Sequence, residues 1–263
     1  MALLPINFSD TTPAAPGTDI NVKFQTDASG NLSAHVPTGG SNGAPGGALH
    51  CISVTNSGLG NTGSLGCSPT SVGESGPFTV APPLWYRLQA VAATAAILDT
   101  GFVLTPAILQ QMQFYVGISN GAFTSSLTGL RWWLCATNLG YGSMNATHPA
   151  GNVIGFRFDA SVDTNWQAYV SSDAVTYTVV DTGVAPNPVL TSPGAVTDQF
   201  KFAADGSGGW NFYLNGTLVS NIPSGSTGMP SGSATMTYMM ETDALAGDES
   251  QLYVHSMQWW SKY

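Results

Sequence analysis

From Pro77 onward, short apolar runs alternate with turn signals, roughly one every 8–15 residues. Many short runs of this kind are typical of a β-sandwich or a β-barrel. The clearest turn is Asn215-Gly216, which separates the runs Trp210–Leu214 and Thr217–Ile222. A two-residue type I′ turn needs positive φ at both positions, and Asn-Gly is the pair that adopts it most readily. The sequence therefore predicts an all-β fold for residues 77–263.

The predicted strands share an apolar run bounded by Gly, Pro, Asn, Asp or Ser. They are Phe78–Val80, Trp85–Val91, Gln113–Ser119, Leu130–Thr137, Val153–Asp159, Trp166–Ser171, Val175–Asp181, Asp198–Ala203, Trp210–Leu214, Thr217–Ile222, Ala234–Thr242 and Gln251–Lys262. One helix is predicted over Pro106–Gln113, because Thr105 suits an N-cap and proline suits the first helical position.

The N-terminal part has a different texture. Residues 1–20 are rich in proline and predict an extended chain, since proline fixes φ and removes a backbone donor. Apolar residues then alternate on both sides of a turn at Asp27–Gly30, which predicts a β-hairpin. Three regions follow: an arm with a hairpin over residues 1–40, a Gly/Ser-rich linker or irregular loops over residues 41–76, and a sandwich over residues 77–263.

Charged residues make up only 8% of the chain and the net charge is −9. A nucleic-acid-binding protein needs clustered Lys and Arg, and the six basic residues are scattered, so binding to nucleic acid or to anionic lipid is not expected. The surface must consist of uncharged polar residues, which is typical of extracellular and virion β-proteins. No basic, apolar leader and no apolar stretch of about 18 residues occurs, so neither an export signal nor membrane insertion is predicted.

Cysteine and histidine give no sign of a cofactor or of a metal site. Cys51 and Cys67 are spaced to close a disulfide loop, while three unpaired thiols, with Cys135 as the third, are the alternative. The four histidines lack the spacing of metal ligands, and nucleotide-binding and nucleophile-elbow motifs do not occur. No cofactor is therefore predicted.

An acidic segment near the C-terminus contains Glu241, Asp243, Asp248 and Glu249. Glu241 and Asp243 would point the same way on a strand, since residues two apart share a face. Three interpretations follow: a solvated acidic loop between the last two strands, a calcium loop built from these four acids, and the carboxylate pair of a glycosidase. We expect the solvated loop, with calcium as the weaker candidate.

Tryptophan is frequent for a chain of this length. Adjacent tryptophans on a strand face opposite ways, so one of each pair can fill the core while the other is exposed to a sugar ring or a partner subunit. The candidates for glycan or subunit contact are Trp132, Trp133, Trp166, Trp210, Trp259 and Trp260.

Two sets of segments resemble virion proteins of tailed bacteriophages. The first comprises Ile6-Asn-Phe-Ser-Asp-Thr-Thr-Pro and Asn21-Val-Lys-Phe-Gln-Thr, and is similar to the start of many fibre and minor structural proteins. The second comprises Val153-Ile-Gly-Phe-Arg-Phe-Asp, Thr164-Asn-Trp-Gln-Ala and Asn211-Phe-Tyr-Leu-Asn-Gly, and resembles the concanavalin A-like sandwich of phage structural proteins. The resemblance implies a jelly-roll β-sandwich carried on appendages that are often trimeric.

The prediction for function is a non-enzymatic component of a phage virion, either a capsid-decoration or head-fibre protein or a tail-fibre or baseplate protein. Its arm would dock on other virion proteins by strand addition and by apolar anchors, and the sandwich would project outward as a homo-oligomer, with a trimer favoured. The predicted anchors are Ile6, Phe8, Val22, Phe24, Leu32 and Val36.

Two other functions remain open. The first is a receptor-binding module that recognises host-surface glycans through exposed aromatic residues. The second is a glycan hydrolase, because the resembling family includes laminarinase-type glucanases with a Glu-x-Asp-x-x-Glu strand. This chain departs from that pattern at Ala246, where the third acid would stand.

Overall fold

The computed structural model describes residues 23–26, 32–35, 48–53, 74–78, 85–91, 95–99, 104–139, 143–190, 198–245 and 249–261. Over these residues the chain forms β-strands joined by turns, without a helix. None of the described segments is a helix that could span a membrane.

The strands form two antiparallel sheets and a separate hairpin. The strands are β1 (Lys23–Thr26), β2 (Leu32–His35), β3 (Ala48–Ser53), β4 (Glu74–Phe78), β5 (Trp85–Val91), β6 (Ala95–Asp99), β7 (Leu109–Asn120), β8 (Leu130–Thr137), β9 (Val153–Asp159), β10 (Gln167–Ser171), β11 (Tyr177–Asp181), β12 (Asp198–Ala204), β13 (Trp210–Leu214), β14 (Thr217–Ile222), β15 (Thr237–Ala244) and β16 (Glu249–Ser261). The six-stranded sheet has the order β11-β10-β9-β8-β15-β6, and the eight-stranded sheet has the order β14-β13-β12-β7-β16-β5-β4, with β3 also paired to β16.

The main core lies between the two sheets, and it follows from alternation along the strands. On β7, Met112, Phe114 and Val116 are buried and point to this core, and on β8 Trp132 and Leu134 meet them from the other sheet. The predicted all-β, concanavalin A-like jelly-roll sandwich is confirmed.

Every residue of strand β8 is buried. A strand in a sheet with one face exposed to solvent would instead alternate between buried and exposed residues. Trp132 faces the main core, while Trp133 and Cys135 face the other way and join a second, smaller apolar cluster with Met144 and Tyr169. The face of the six-stranded sheet that is turned away from the eight-stranded sheet is therefore covered. We call it the outer face.

The hairpin predicted at Asn215-Gly216 is confirmed. Strands β13 and β14 pair directly on either side of it, and the two turn residues have φ values of 49° and 80°. Both values lie in the left-handed region that a type I′ turn needs.

The helix predicted over Pro106–Gln113 is wrong. Its first turn does form, since the carbonyl of Thr105 accepts hydrogen bonds from the amides of Ile108 and Leu109. Strand β7 then begins at Leu109, because the residues that follow pair with both β12 and β16. Pairing within the sheet outweighs the local N-terminal helix signal.

The N-terminal hairpin is present as backbone pairing between β1 and β2, from Lys23 with His35 to Thr26 with Leu32. The division of the chain into an arm, a linker and a sandwich remains a prediction, because much of residues 1–84 lies outside the described residues.

Gly155 on β9 allows close approach between strands on the outer face. A Cβ atom built there would lie 2.5 Å from Cβ of Cys135, and it would also collide with the carbonyl oxygen of Leu134. We expect Gly155→Ala to lower the free energy of unfolding by about 1–3 kcal/mol, since overpacking a filled site forces its neighbours to shift.

Urea denaturation checks this prediction, with Gly232→Ala as the matched control. The nearest atom to a Cβ at Gly232 lies at 3.6 Å, an ordinary contact, so the control should change stability by less than about 0.5 kcal/mol. Equal effects at the two glycines would contradict the account of close packing.

Candidate functional site on the outer face

Two carboxylic acids lie side by side on the outer face. Glu241 and Asp243 are two residues apart on β15, so both side chains point to the same side of the strand. Both residues are 0% exposed. The prediction of a solvated acidic loop is therefore wrong for these two residues, since they belong to a buried strand that pairs with β8 and β6.

In the described part of the chain, no residue other than the two acids themselves donates a hydrogen bond to the carboxyl oxygens of Glu241 and Asp243. The indole N–H of Trp133, whose residue pairs with Glu241 across the strands, also lacks an acceptor. Buried polar groups are normally hydrogen-bonded, and each exception asks for an explanation. Here the acids Glu241 and Asp243 and the indole N–H of Trp133 lie together on the outer face, and the indole has no acceptor.

Burial sets the protonation of the acid pair. It raises the pKa of Glu241 to about 10, and the negative charge of Asp243 adds to that effect. Burial also raises the pKa of Asp243, but only to about 6, because the proton of Glu241 and the charge of Arg131 favour its ionised form. At neutral pH the pair therefore holds one proton and one negative charge, with the proton on Glu241.

A cross-strand row brings Asp243, Arg131 and Asp159 together from β15, β8 and β9. The Nη2 and Nε atoms of Arg131 each lie 2.8 Å from Oδ2 of Asp159. The Nη1 atom lies 3.7 Å from Oδ2 of Asp243, which is an ion pair beyond hydrogen-bond distance. One buried guanidinium thus faces two aspartates, and its stronger contact is with Asp159.

Asp159 is held as a carboxylate. Burial alone would raise its pKa, but hydrogen bonds from Ser161 and Thr147, together with the charge of Arg131, lower it instead. The hydroxyl of Thr147 donates to Oδ2 at 2.7 Å, and the hydroxyl of Ser161 donates to Oδ1 at 2.6 Å. Asp159 therefore anchors Arg131 and does not share in the proton of the acid pair.

A second arginine stands one row further along the face. Arg157 makes a bidentate ion pair with Asp163, at 3.0 Å from Nε and 2.8 Å from Nη2. Its guanidinium lies 5.4 Å from the ring centre of Tyr169, which meets Trp133 edge-on at 5.0 Å. Each arginine of the face is thus already neutralised by an aspartate.

The structure places the predicted tryptophans mainly in apolar clusters. Trp132, Trp166, Trp210 and Trp259 lie in the main core, and Trp133 is buried on the outer face. The expectation that one member of each adjacent pair is exposed fails at Trp132-Trp133, because both faces of β8 are covered. Among the six predicted tryptophans, only Trp260 is partly exposed. A contact of these residues with a glycan or with another subunit remains a prediction.

The four acids of the calcium interpretation do not come together in the described part of the chain. Glu241 and Asp243 are buried in the six-stranded sheet, whereas Glu249 is exposed at the start of β16 in the eight-stranded sheet. Asp248 lies outside the described residues. Among the residues that are described, no group of three His, Cys, Asp or Glu side chains is arranged to hold a metal ion.

The predicted attachment residues are only partly within the described segments. Phe24 and Leu32 lie in the β1–β2 hairpin, and the remaining anchors, Ile6, Phe8, Val22 and Val36, lie outside the described residues. Cys135 is buried and forms no disulfide, and Cys67 lies outside the described residues, so the pairing of Cys51 remains untested.

Sequence reasoning missed the polar residues that share the outer face with the acid pair, among them Arg131, Asp159, Arg157 and Tyr169. A signal for two of them was present. Arg131 is the only charged residue of β8, and Arg157 shares the otherwise apolar β9 with Asp159, in a chain in which only 8% of residues are charged. A charge at such a position requires a buried partner, which points to a polar cluster inside the fold.

No protein-family model matches the chain, and no curated protein matches it. Three solved structures of similar fold are LamAcat from Zobellia galactanivorans, the carbohydrate recognition domain of Emp47p, and a glycoside hydrolase family 16 endo-glucanase from Bacteroides ovatus. Their identities to this chain are 14%, 10% and 8%, and their TM-scores are 0.46, 0.47 and 0.47. The alignments cover 70%, 72% and 80% of this chain, and 79%, 87% and 93% of the other chains. At these identities the likeness concerns the fold alone.

The prediction that the protein is not an enzyme is wrong as it was argued. The arguments for it are the missing third acid at Ala246 and a solvated acidic loop, and the structure instead buries Glu241 and Asp243 as a pair on the sheet. The solved structures of similar fold also include a glycoside hydrolase. None of the three structures named above is a virion protein. The predicted location on a phage particle therefore depends on the sequence resemblance alone.

Proposed function

We propose that the protein hydrolyses glycosidic bonds of neutral glycans with the acid pair Glu241 and Asp243 on the outer face. One observation carries the proposal: two carboxyls lie adjacent and fully buried on one face of β15, where burial raises the pKa of both. Two carboxyls whose environments separate their pKa values are the arrangement that glycoside hydrolysis uses.

The roles follow from the protonation of the pair. Glu241 donates its proton to the glycosidic oxygen as the bond to the anomeric carbon breaks. Asp243, which is ionised and lies beside Arg131, attacks the anomeric carbon and forms an ester. Water then hydrolyses this ester, while Glu241 takes the proton of the water and returns to its starting state.

The substrate class follows from charge. Arg131 and Arg157 are each paired with an aspartate, so the face offers no unpaired guanidinium to a carboxylate or a sulfate. The acid pair adds a negative charge, and the whole chain carries −9. Anionic glycans would be repelled, which favours neutral ones.

Release of reducing ends from laminarin, mixed-linkage β-glucan, cello-oligosaccharides and amylose tests the proposal. We expect Glu241→Gln to lower the rate on the hydrolysed glycan at least about 100-fold, since general acid catalysis contributes 10²–10⁴-fold. The matched control is Glu249→Gln, an exposed glutamate of the other sheet, which should keep the wild-type rate. Hydrolysis that persists in Glu241→Gln would place the chemistry elsewhere and overturn the proposal.

Glycan binding without hydrolysis is the second candidate. The observation that favours it is Ala246, which stands where the laminarinase-type strand carries its third acid. Calorimetry with the same glycans separates the two candidates. Binding with no release of reducing ends would support the binding module and reject the hydrolase.

We also propose a setting for this activity, namely the exterior of a phage particle. The support is the resemblance of residues 6–17 and 21–34 to the start of phage fibre proteins, together with a surface poor in charge. The arm over residues 1–40 would hold the protein to other virion proteins, with a homotrimer favoured. Electron microscopy of virions with the full chain and with the chain lacking residues 1–40 tests this. Decoration by both forms, or by neither, would contradict attachment through the arm.

A further inference from the structure

The segment 143–150 lies on the outer face and is anchored there by a small number of polar contacts. At its base, the amide of Asn138 donates to the carbonyl of Asn152 at 3.2 Å, and the amide of Asn152 donates to Oδ1 of Asn138 at 2.7 Å. Met144 joins the apolar cluster of the face with Trp133. We call residues 143–150 the covering segment.

Thr147 connects the covering segment to both arginines of the face. Its hydroxyl donates to Asp159 at 2.7 Å and accepts from Nη2 of Arg131 at 3.4 Å. Its carbonyl oxygen accepts from Nη1 of Arg157 at 2.7 Å. A hydroxyl and a carbonyl oxygen of the covering segment thus accept hydrogen bonds from both arginines of the face.

His148 lies flat against Tyr177 at the edge of the sheet, and its Nδ1 atom lies 3.3 Å from the hydroxyl of Tyr169, within hydrogen-bond distance. Its ring is 3.9 Å from the ring of Tyr177, with 11° between the planes, and 6.1 Å from the ring of Tyr169. Tyr169 and Tyr177 are themselves nearly parallel, at 6.1 Å and 15°. His148 and Tyr177 are partly exposed, so this stack opens to solvent.

The stack and the acid pair lie on one face, and strands separate them. Glu241 is on β15 and Tyr177 is on β11, which lies four strand intervals away, or about 19 Å at about 4.8 Å per strand. A ligand that crosses the strands would therefore have to be elongated and would meet the rings at one end and the acids at the other. An oligosaccharide chain has this shape.

We propose that Tyr169 and Tyr177 form a sugar-stacking subsite for a neutral glycan, and that His148 of the covering segment occupies it until a sugar ring replaces it. This inference rests on the proposed function of the same face. A flat imidazole on a tyrosine ring makes the contact that the apolar face of a sugar ring makes, and Thr147 makes the hydrogen bonds of a sugar hydroxyl. The glycan and the covering segment compete for the same contacts.

Removing His148 and removing Tyr177 should change the affinity for the glycan in opposite directions. His148→Ala removes the competing ring and leaves the tyrosines, so affinity for the glycan should rise about three- to tenfold. Tyr177→Ala removes the platform, so affinity should fall by about the same factor. A role in stability alone would move both variants in the same direction.

Calorimetry with laminarihexaose, cellohexaose and maltohexaose tests these expectations in the Glu241→Gln background, so that turnover does not interfere. The matched control is Tyr213→Ala, a partly exposed tyrosine that packs against Lys201 on the other sheet and should leave the affinity unchanged. Hydrogen exchange of residues 143–150, measured without a glycan, should rise in both His148→Ala and Tyr177→Ala, because each breaks the ring stack.

The outcomes separate this inference from the proposed function. Opposite shifts in affinity, with no hydrolysis by the wild type, keep the subsite and reject the hydrolase. Hydrolysis by the wild type, with equal affinities in His148→Ala and Tyr177→Ala, keeps the hydrolase and overturns the subsite. The subsite is also overturned if none of the three glucans binds either the Glu241→Gln protein or the Glu241→Gln protein that also carries His148→Ala.

Discussion

Replacing Arg131 with methionine is expected to lower the free energy of unfolding by about 3–5 kcal/mol, because it removes the cation from a buried cluster of acids. Arg131 lies 2.8 Å from Asp159 and 3.7 Å from Asp243, and all three side chains are at least nine-tenths buried. Without the guanidinium, Asp159 keeps a buried charge that only hydroxyl and amide donors offset. The unpaired carboxylate, more than the loss of packing, produces the large effect.

Urea denaturation at pH 7 measures this loss. Lys201→Met is the matched control, since Lys201 lies over the ring of Tyr213 on the other sheet without an ion pair among the described contacts, and should change stability by less than about 1 kcal/mol. Combining Arg131→Met with Asp159→Asn should recover much of the loss, because no unpaired charge then remains at Asp159. A loss below about 1 kcal/mol for Arg131→Met alone would mean that the cluster is open to water.

Replacing Glu241 with glutamine is expected to stabilise the protein, and increasingly so as the pH rises. In the unfolded chain Glu241 ionises at its ordinary pKa near 4.5, whereas burial and the charge of Asp243 raise its pKa to about 10 in the folded protein. Folding therefore takes up a proton between these two values. The stability of the wild type falls as the pH rises through this window, by up to about 1.4 kcal/mol per pH unit.

Thermal and urea unfolding from pH 5 to pH 8.5 check this prediction. Glu241→Gln should gain about 2–4 kcal/mol over the wild type at pH 8 and little at pH 5, since the amide is neutral in both states and can donate to Asp243. Glu249→Gln, at an exposed site, should follow the wild type at every pH. A constant difference across the whole pH range would show that Glu241 is not protonated in the folded protein.

Much of the sandwich could be predicted from local patterns. Strands such as Leu130–Thr137 and Val153–Asp159 were predicted with the bounds that the structure gives, because each is an apolar run between turn residues. The Asn215-Gly216 turn was predicted because its backbone conformation depends on those two residues. Local chemistry decides these elements, so a single sequence is sufficient.

The candidate site could be predicted only in part. The shared direction of Glu241 and Asp243 follows from their spacing and is confirmed, since both lie on the outer face of β15. Their surroundings include Arg131 and Asp159, which come from distant strands and are brought beside them by the order of the sheet. Sequence spacing does not contain that order, so it predicts the shared direction of the two acids but not their burial.

The helix error has a related cause. Thr105 and Pro106 are good residues for a helix start, and one turn forms there. The chain forms a strand here because β7 pairs with β12 on one side and β16 on the other. These strands are distant in sequence, so a local sequence pattern cannot predict the pairing.

The most direct test of the account is a crystal structure of Glu241→Gln soaked with the glycan that the wild type hydrolyses or binds. The account predicts a sugar chain on the outer face of the six-stranded sheet, with one ring against Tyr177 and a glycosidic bond beside Asp243. His148 should then have left the tyrosine ring. A glycan bound on the eight-stranded sheet, or an outer face still closed by residues 143–150 at a saturating glycan concentration, would contradict the central claim.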